Sequence, residues 1–289
     1  MSGILRAVVD RIREARDVGS TEIERITVGE RVVLVEIRET NTGAVDAGLA
    51  HRPSEWVDGG AATAERDVEA LLDGACDDAT RAERALGIAT ANALSAPLVD
   101  WQTGDPMALL DADVERIATV GLFGPAFRKF DGVEVRVIER EPIDDVPDPD
   151  GIAVRTHTPA GADAALSDAA VVFVTGSALI YGGIDRYLAA APAEATVIVI
   201  GATASFLPGP LFEAGVDVVA GASVTDRSRA REAVAAGACG TDLHDAGVEK
   251  VYVAGARPAG VALGERADGR GGERAQPETT ESHDESTNP

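Results

Sequence analysis

Two stretches decide the fold: Ala170-Val-Val-Phe-Val-Thr175-Gly176-Ser177 and Thr196-Val-Ile-Val-Ile200-Gly201-Ala-Thr203. Each is a nearly continuous apolar run that stops at a glycine close to a hydroxyl. A strand wetted on one face alternates apolar with polar residues. A run without that alternation reads as a strand covered on both faces. Similar runs occur at 117–123, 133–138, 216–220 and 250–254. Segments able to form helices lie between several of them, at 125–130, 183–191 and 226–236. Strand, crossover and strand in repetition predict a doubly wound parallel sheet, that is, a Rossmann-like α/β unit.

Working outward, the first third of the chain has a different rhythm. Ile4, Leu5, Val8, Ile12 and Ala15 recur at near-helical spacing and predict an amphipathic opening helix. β-Branched runs at 23–28 and 32–37 flank Gly29-Glu30, a two-residue turn compatible with a hairpin. A third strand is expected at 44–50, then helices at 63–72 and 80–94. This is an α+β arrangement. Pro97, Trp101, Gly104 and Pro106 mark a break in the pattern. The expected organisation is therefore a small α+β domain at 1–105, a Rossmann-like domain at 106–262 and a disordered acidic tail at 263–289. The proline- and acid-rich stretch 142–159 reads as an exposed loop.

The net charge of −23 is the unusual global property. Of 26 cations only two are lysines, Lys129 and Lys250; the rest are arginine. So negative a chain is repelled by nucleic acid and by anionic membranes, and neither is expected as a partner. The acidity suggests a hydrated surface of the kind found in acidic, halophilic proteomes. A basic partner is the alternative. No apolar run reaches the roughly 18 residues that cross a bilayer, and the charged start does not read as a signal peptide. A cytoplasmic location is the expectation, and a homo-oligomer is compatible with it. Cys76 and Cys239 lie too far apart for a CxxC motif and read as reduced structural thiols. The histidines lack HxH or HExxH spacing; His51 and His157 are weak metal candidates.

Open parallel sheets bind ligands outside the carboxyl ends of their strands. Those ends carry Gly121 and Gly124, Glu139, then Thr175-Gly176-Ser177, Gly201 with Thr203, and Gly221. Glycine admits a ligand close to the backbone, and free N–H groups favour an anion. Taken singly each is an ordinary tight turn; their repetition along one edge points to a ligand. The first loop is GxxG and not GxGxxG. Glu139 stands near the roughly 20-residue spacing at which an acid holds a ribose hydroxyl, yet it also fits a plain surface acid. Gly48 and His51 end a small-residue stretch that reads as a turn or as the wall of a cleft. Asn92 sits inside an apolar helix and must find partners for its amide. No nucleophile–base constellation can be assembled.

Several phrases occur in an order shared with one family: Arg84-Ala-Leu-Gly-Ile-Ala-Thr-Ala-Asn92, Val120-Gly-Leu-Phe-Gly124, Val137-Ile-Glu139-Arg-Glu-Pro142, Val174-Thr-Gly-Ser177 and Gly201-Ala-Thr-Ala-Ser-Phe-Leu-Pro208. Over about residues 5 to 255 the chain resembles the family of unknown function described as putative heavy-metal chelation proteins. The resemblance implies an enolase N-terminal-like domain followed by a Rossmann-like domain, with a site between them. The chain has no dense Cys/His cluster. Chelation would have to use oxygen ligands, the scattered histidines or a bound small molecule.

The leading expectation is a protein that binds a small ligand or metal chelate in the interdomain cleft. The alternative is an enzyme using a nucleoside-containing cofactor, such as S-adenosylmethionine or a nicotinamide. The candidate cofactors are accordingly a divalent metal or a nucleoside-containing small molecule.

Overall fold

The structure is a computed structural model that describes residues 3–56, 67–76, 79–144, 146–147, 151–255 and 258–263. The expected acidic tail beyond residue 263 and the start of the helix expected at 63–72 lie outside the described residues.

The chain opens with helix α1 (Gly3–Ala15), whose Ile4, Leu5, Val8, Val9 and Ile12 are buried. A three-stranded antiparallel meander follows: β1 (Thr21–Val28), β2 (Val32–Glu39) and β3 (Val45–His51), in that spatial order. The β1–β2 link is Gly29–Arg31, one residue longer than the expected turn. Gly29 packs so closely on the C-terminal half that a Cβ there would stand 2.2 Å from the Val234 carbonyl oxygen. Next come α2 (Val68–Asp73) and α3 (Arg81–Ser95). A capping box starts α3: the Glu83 N–H donates to Thr80 Oγ1, and the Thr80 N–H donates to the Glu83 carboxylate. Its Leu86, Ile88 and Leu94 are fully buried, each worth about 2 kcal/mol by removal from water.

The second sheet has eight strands. They are β4 (Gln102–Thr103), β5 (Arg116–Val120), β6 (Glu134–Ile138), β7 (Ala153–His157), β8 (Val171–Thr175), β9 (Thr196–Ile200), β10 (Val218–Val224) and β11 (Val248–Ala254), in the spatial order β4-β11-β10-β9-β8-β5-β6-β7. β5 to β10 run parallel, whereas β11 is antiparallel to β10 and β4 to β11. The connections carry α4 (Ala162–Leu166), α5 (Ala178–Tyr181), α6 (Ile184–Ala190), α7 (Gly209–Glu213), α8 (Arg227–Ala235) and α9 (Thr241–His244). The fold is thus mixed α/β, a small antiparallel sheet followed by a largely parallel one.

Three expectations are corrected. Part of the acidic loop is the edge strand β7, whose residues are mostly exposed and therefore look like loop in composition. The helix expected after the first parallel strand is a 3-10 turn at Gly124–Lys129. The last strand runs antiparallel. One continuous core joins α1 and α3 to a face of the parallel sheet through residues such as Ile12, Leu86, Val174 and Phe206.

Candidate functional site

From β5 the chain moves outward to β6 and β7, then returns to β8 on the other side of β5. At such a reversal the loops diverge and leave a crevice at the strands' carboxyl ends. Gly121 leaves β5 with φ +99°, a left-handed conformation. A Cβ there would stand 3.1 Å from Thr175 Cγ2, so glycine lets the loops of β5 and β8 approach each other. Thr175 Oγ1 and Ser177 Oγ are 3.1 Å apart and form a hydroxyl pair.

A cavity of about 600 Å³ opens over this edge. One side is built from Thr175, Ser177, Gly201, Thr203 and Gly221 of the parallel sheet. The antiparallel meander contributes Arg31, Val32, Leu49, Ala50 and His51. Asp105, Lys129, His244 and Lys250 add charge and imidazole, while Met107, Phe123 and Val248 add apolar surface.

The expected residues therefore divide. Thr175, Ser177, Gly201, Thr203, Gly221 and His51 line this cavity. Gly48, Asn92, Gly121, Gly124, Glu139, Gly176 and His157 do not. Gly48 serves packing: a Cβ would stand 2.2 Å from the Ala89 carbonyl oxygen on α3. Gly176 packs on Ala204, and Gly124 opens the 3-10 turn. Asn92 is buried, and its Nδ2 approaches the carbonyl oxygens of Leu49 (2.6 Å), Ala202 (3.0 Å) and Thr203 (3.3 Å). It stitches β3 to the strand-end loop after β9, and borders a separate pocket of about 80 Å³. Glu139 is half-buried at the end of β6, where its N–H donates to the His157 carbonyl at 3.0 Å. His157 ends β7 at the sheet edge, and its Nε2 is buried with no hydrogen-bond partner among the described residues. His51 and His157 do not share this cavity.

Residues that the sequence did not place at the site hold most of its charge. Asp105 Oδ2 accepts from Lys129 Nζ at 2.5 Å and from Lys250 Nζ at 2.7 Å. Asp105 Oδ1 accepts the Met107 N–H at 3.1 Å. Burial alone would push this carboxyl up, but the two ammonium hydrogen bonds outweigh it and hold it below the usual range. His51 Nε2 lies 3.1 Å from Tyr181 Oη. The Tyr181 ring is in turn covered by the Arg140 guanidinium, 3.6 Å from its centroid, with Arg81 at 5.2 Å. Burial lowers the His51 pKa, and the charges of Arg140 and Arg31 lower it further. His244 is lowered too, mainly by burial. Its Nδ1 lies 3.1 Å from the Val248 carbonyl oxygen, which selects the Nδ1–H tautomer and leaves Nε2 as an acceptor. The cavity thus offers two imidazoles biased towards the neutral form, a hydroxyl pair and a lysine pair.

The fit to a bare metal ion is poor. Cys239 and His244 both line the cavity, but among the described residues no three His, Cys, Asp or Glu side chains gather into a metal-holding group.

Comparison with known proteins agrees with the architecture. A protein of unknown function from Pyrococcus horikoshii superposes with a TM-score of 0.72 at 21% identity, over 87% of this chain and 99% of its own. A second, from Desulfitobacterium hafniense, gives 0.66 at 16% identity, over 86% of this chain and 98% of its own. Both are assigned to one family of unknown function, and at such identities the likeness concerns the fold alone. No curated protein matches. Two family profiles cover residues 12–95 and 105–253, each carrying the description "Putative heavy-metal chelation". The second spans more than half of the sequence, and the chain belongs to that family.

Proposed function

We propose that the protein binds a small organic molecule, free or as a metal chelate, in the cavity between the antiparallel meander and the strand ends of the parallel sheet. The observation that carries this reading is the cavity itself: about 600 Å³, within the range of small-ligand sites, and at the switch point where open α/β sheets bind ligands. The family description adds a link to metals. With no group of three metal-binding side chains among the described residues, any metal is held mainly by donor atoms of the bound molecule. Cys239 and His244 are placed to add at most two more.

The nucleoside-cofactor alternative has less support. A pyrophosphate needs a helix N-terminus after the first strand, and here that segment is a 3-10 turn. Glu139 lies outside the cavity lining. The acidic surface is read as adaptation to concentrated salt, separate from the ligand.

Native mass spectrometry of the full chain as purified tests the reading. The expected result is an adduct of small-molecule mass in the wild type. Ala126→Trp, which places an indole against the cavity, should lose that adduct while keeping its melting temperature within a few degrees. An adduct that survives this substitution would place the ligand elsewhere.

A further inference from the structure

The two lysines of this chain are its only two, and they meet on one carboxylate oxygen in the wall of the cavity. Among the described residues, every other ion pair is made by arginine. If a structural tie were all that was needed, arginine would serve, since its planar fork holds a carboxylate through two bonds, as Arg231 does for Glu36. One cation would also be enough. Instead two ammonium groups share Oδ2, which sets like charges within about 5 Å of each other and costs Coulomb energy. Asp105 cannot turn away, because Oδ1 is held by the Met107 N–H and the Gly104 N–H donates to the Lys250 carbonyl at 3.0 Å. The cluster keeps one net positive charge in a chain of −23. Each ammonium has three donors, and among the described residues Asp105 is its one hydrogen-bond partner.

We propose that Lys129 and Lys250 bind an oxyanion, a carboxylate or phosphate on the molecule that occupies the cavity, with Asp105 positioning the two ammonium groups. This rests on the ligand-binding reading above and names the chemistry of one end of the ligand. After β5, β8 and β9 the chain enters 3-10 turns or very short helices at Gly124–Lys129, Ala178–Tyr181 and Ala202–Ala204, while α8, which follows β10, begins at the separate pocket of about 80 Å³. Among the described residues these three segments offer an anion no long helix dipole, and the lysine pair supplies positive charge there. Apolar Phe123, Met107 and Val248 alongside suit a ligand with an apolar body behind its anionic group.

Isothermal titration of the full chain with phenyl phosphate, phenylacetate and neutral phenylacetamide tests this. The expected result is that at least one of the two anions binds at least tenfold more tightly than the amide, and loses at least tenfold in Lys129→Gln/Lys250→Gln. Preference for phenyl phosphate identifies the phosphate end, preference for phenylacetate the carboxylate end. Asp105→Asn keeps an oxygen to position the two ammonium groups and removes the competing negative charge, so it should strengthen anion binding. That sign is opposite to what a purely structural tie would give. Unchanged anion affinity in the double glutamine variant, with only its melting temperature lowered, would overturn the proposal. Native mass spectra separate the two readings: an adduct kept by that variant but lost in Ala126→Trp leaves the cavity reading intact and removes the lysine assignment.

Discussion

The backbone N–H of His51 donates to Thr203 Oγ1 at 3.0 Å, so the last residue of the antiparallel meander is tied to the loop that follows β9. This bond joins opposite sides of the cavity. Thr203→Val keeps the shape and removes the acceptor, leaving a half-buried donor without its partner. The expected cost is about 1 kcal/mol, read as a fall of a few degrees in melting temperature. Thr203→Ser should stay near wild type, and equal effects of the two substitutions would show that the bond contributes nothing.

Glu36 lies on β2 with its side chain 1% exposed, and Arg231 of α8 holds both of its oxygens, at 2.7 and 2.9 Å. Removing the guanidinium leaves a buried carboxylate unpaired. Arg231→Ala is therefore expected to cost about 3 kcal/mol by chemical denaturation. Glu36→Gln/Arg231→Ala should recover part of that loss, because the charge is then gone from both sides.

The lowered pKa values of His51 and His244 fix the sign of a pH effect. Below the ordinary histidine value of about 6.5, the unfolded chain takes up protons that the folded chain resists. This contribution to stability is full above that pH and is lost as pH falls towards the folded-state values. Asp105, also lowered, contributes its loss only below about pH 4. Urea midpoints should therefore fall between pH 7 and 5.5, and the slope should be shallower in His51→Gln. An unchanged slope would show that His51 is as accessible to protons in the folded state as in the unfolded one.

The charge of −23 predicts a salt response. Self-repulsion among carboxylates is least screened at low ionic strength. The melting temperature should rise between about 0.1 and 3 M potassium chloride. Independence from salt over that range would contradict adaptation to concentrated salt.

The parallel sheet was legible because β8 and β9 are apolar on both faces, a burial that leaves its mark in composition. β7 was not, since it is an edge strand whose polar residues match those of a loop. At the site, glycines and hydroxyls at strand ends could be read from position alone, and Thr175, Ser177, Gly201, Thr203 and Gly221 do line one cavity. Gly48 and Asn92 were conspicuous for a different reason: one allows the close approach of α3, the other satisfies carbonyls between layers. Asp105, Lys129 and Lys250 come from three separate segments, and no local pattern joins them. A signal was still present. In a chain that uses arginine almost everywhere, both of its lysines fall on the same carboxylate.

The most direct measurement is a crystal structure of the full chain as purified, read for density between Thr175 and the two lysines. The expected result is a small molecule whose anionic group contacts Lys129 and Lys250 and whose body lies against Phe123 and Met107. A cavity filled only by water, together with a native mass equal to that of the polypeptide, would contradict a ligand-binding role.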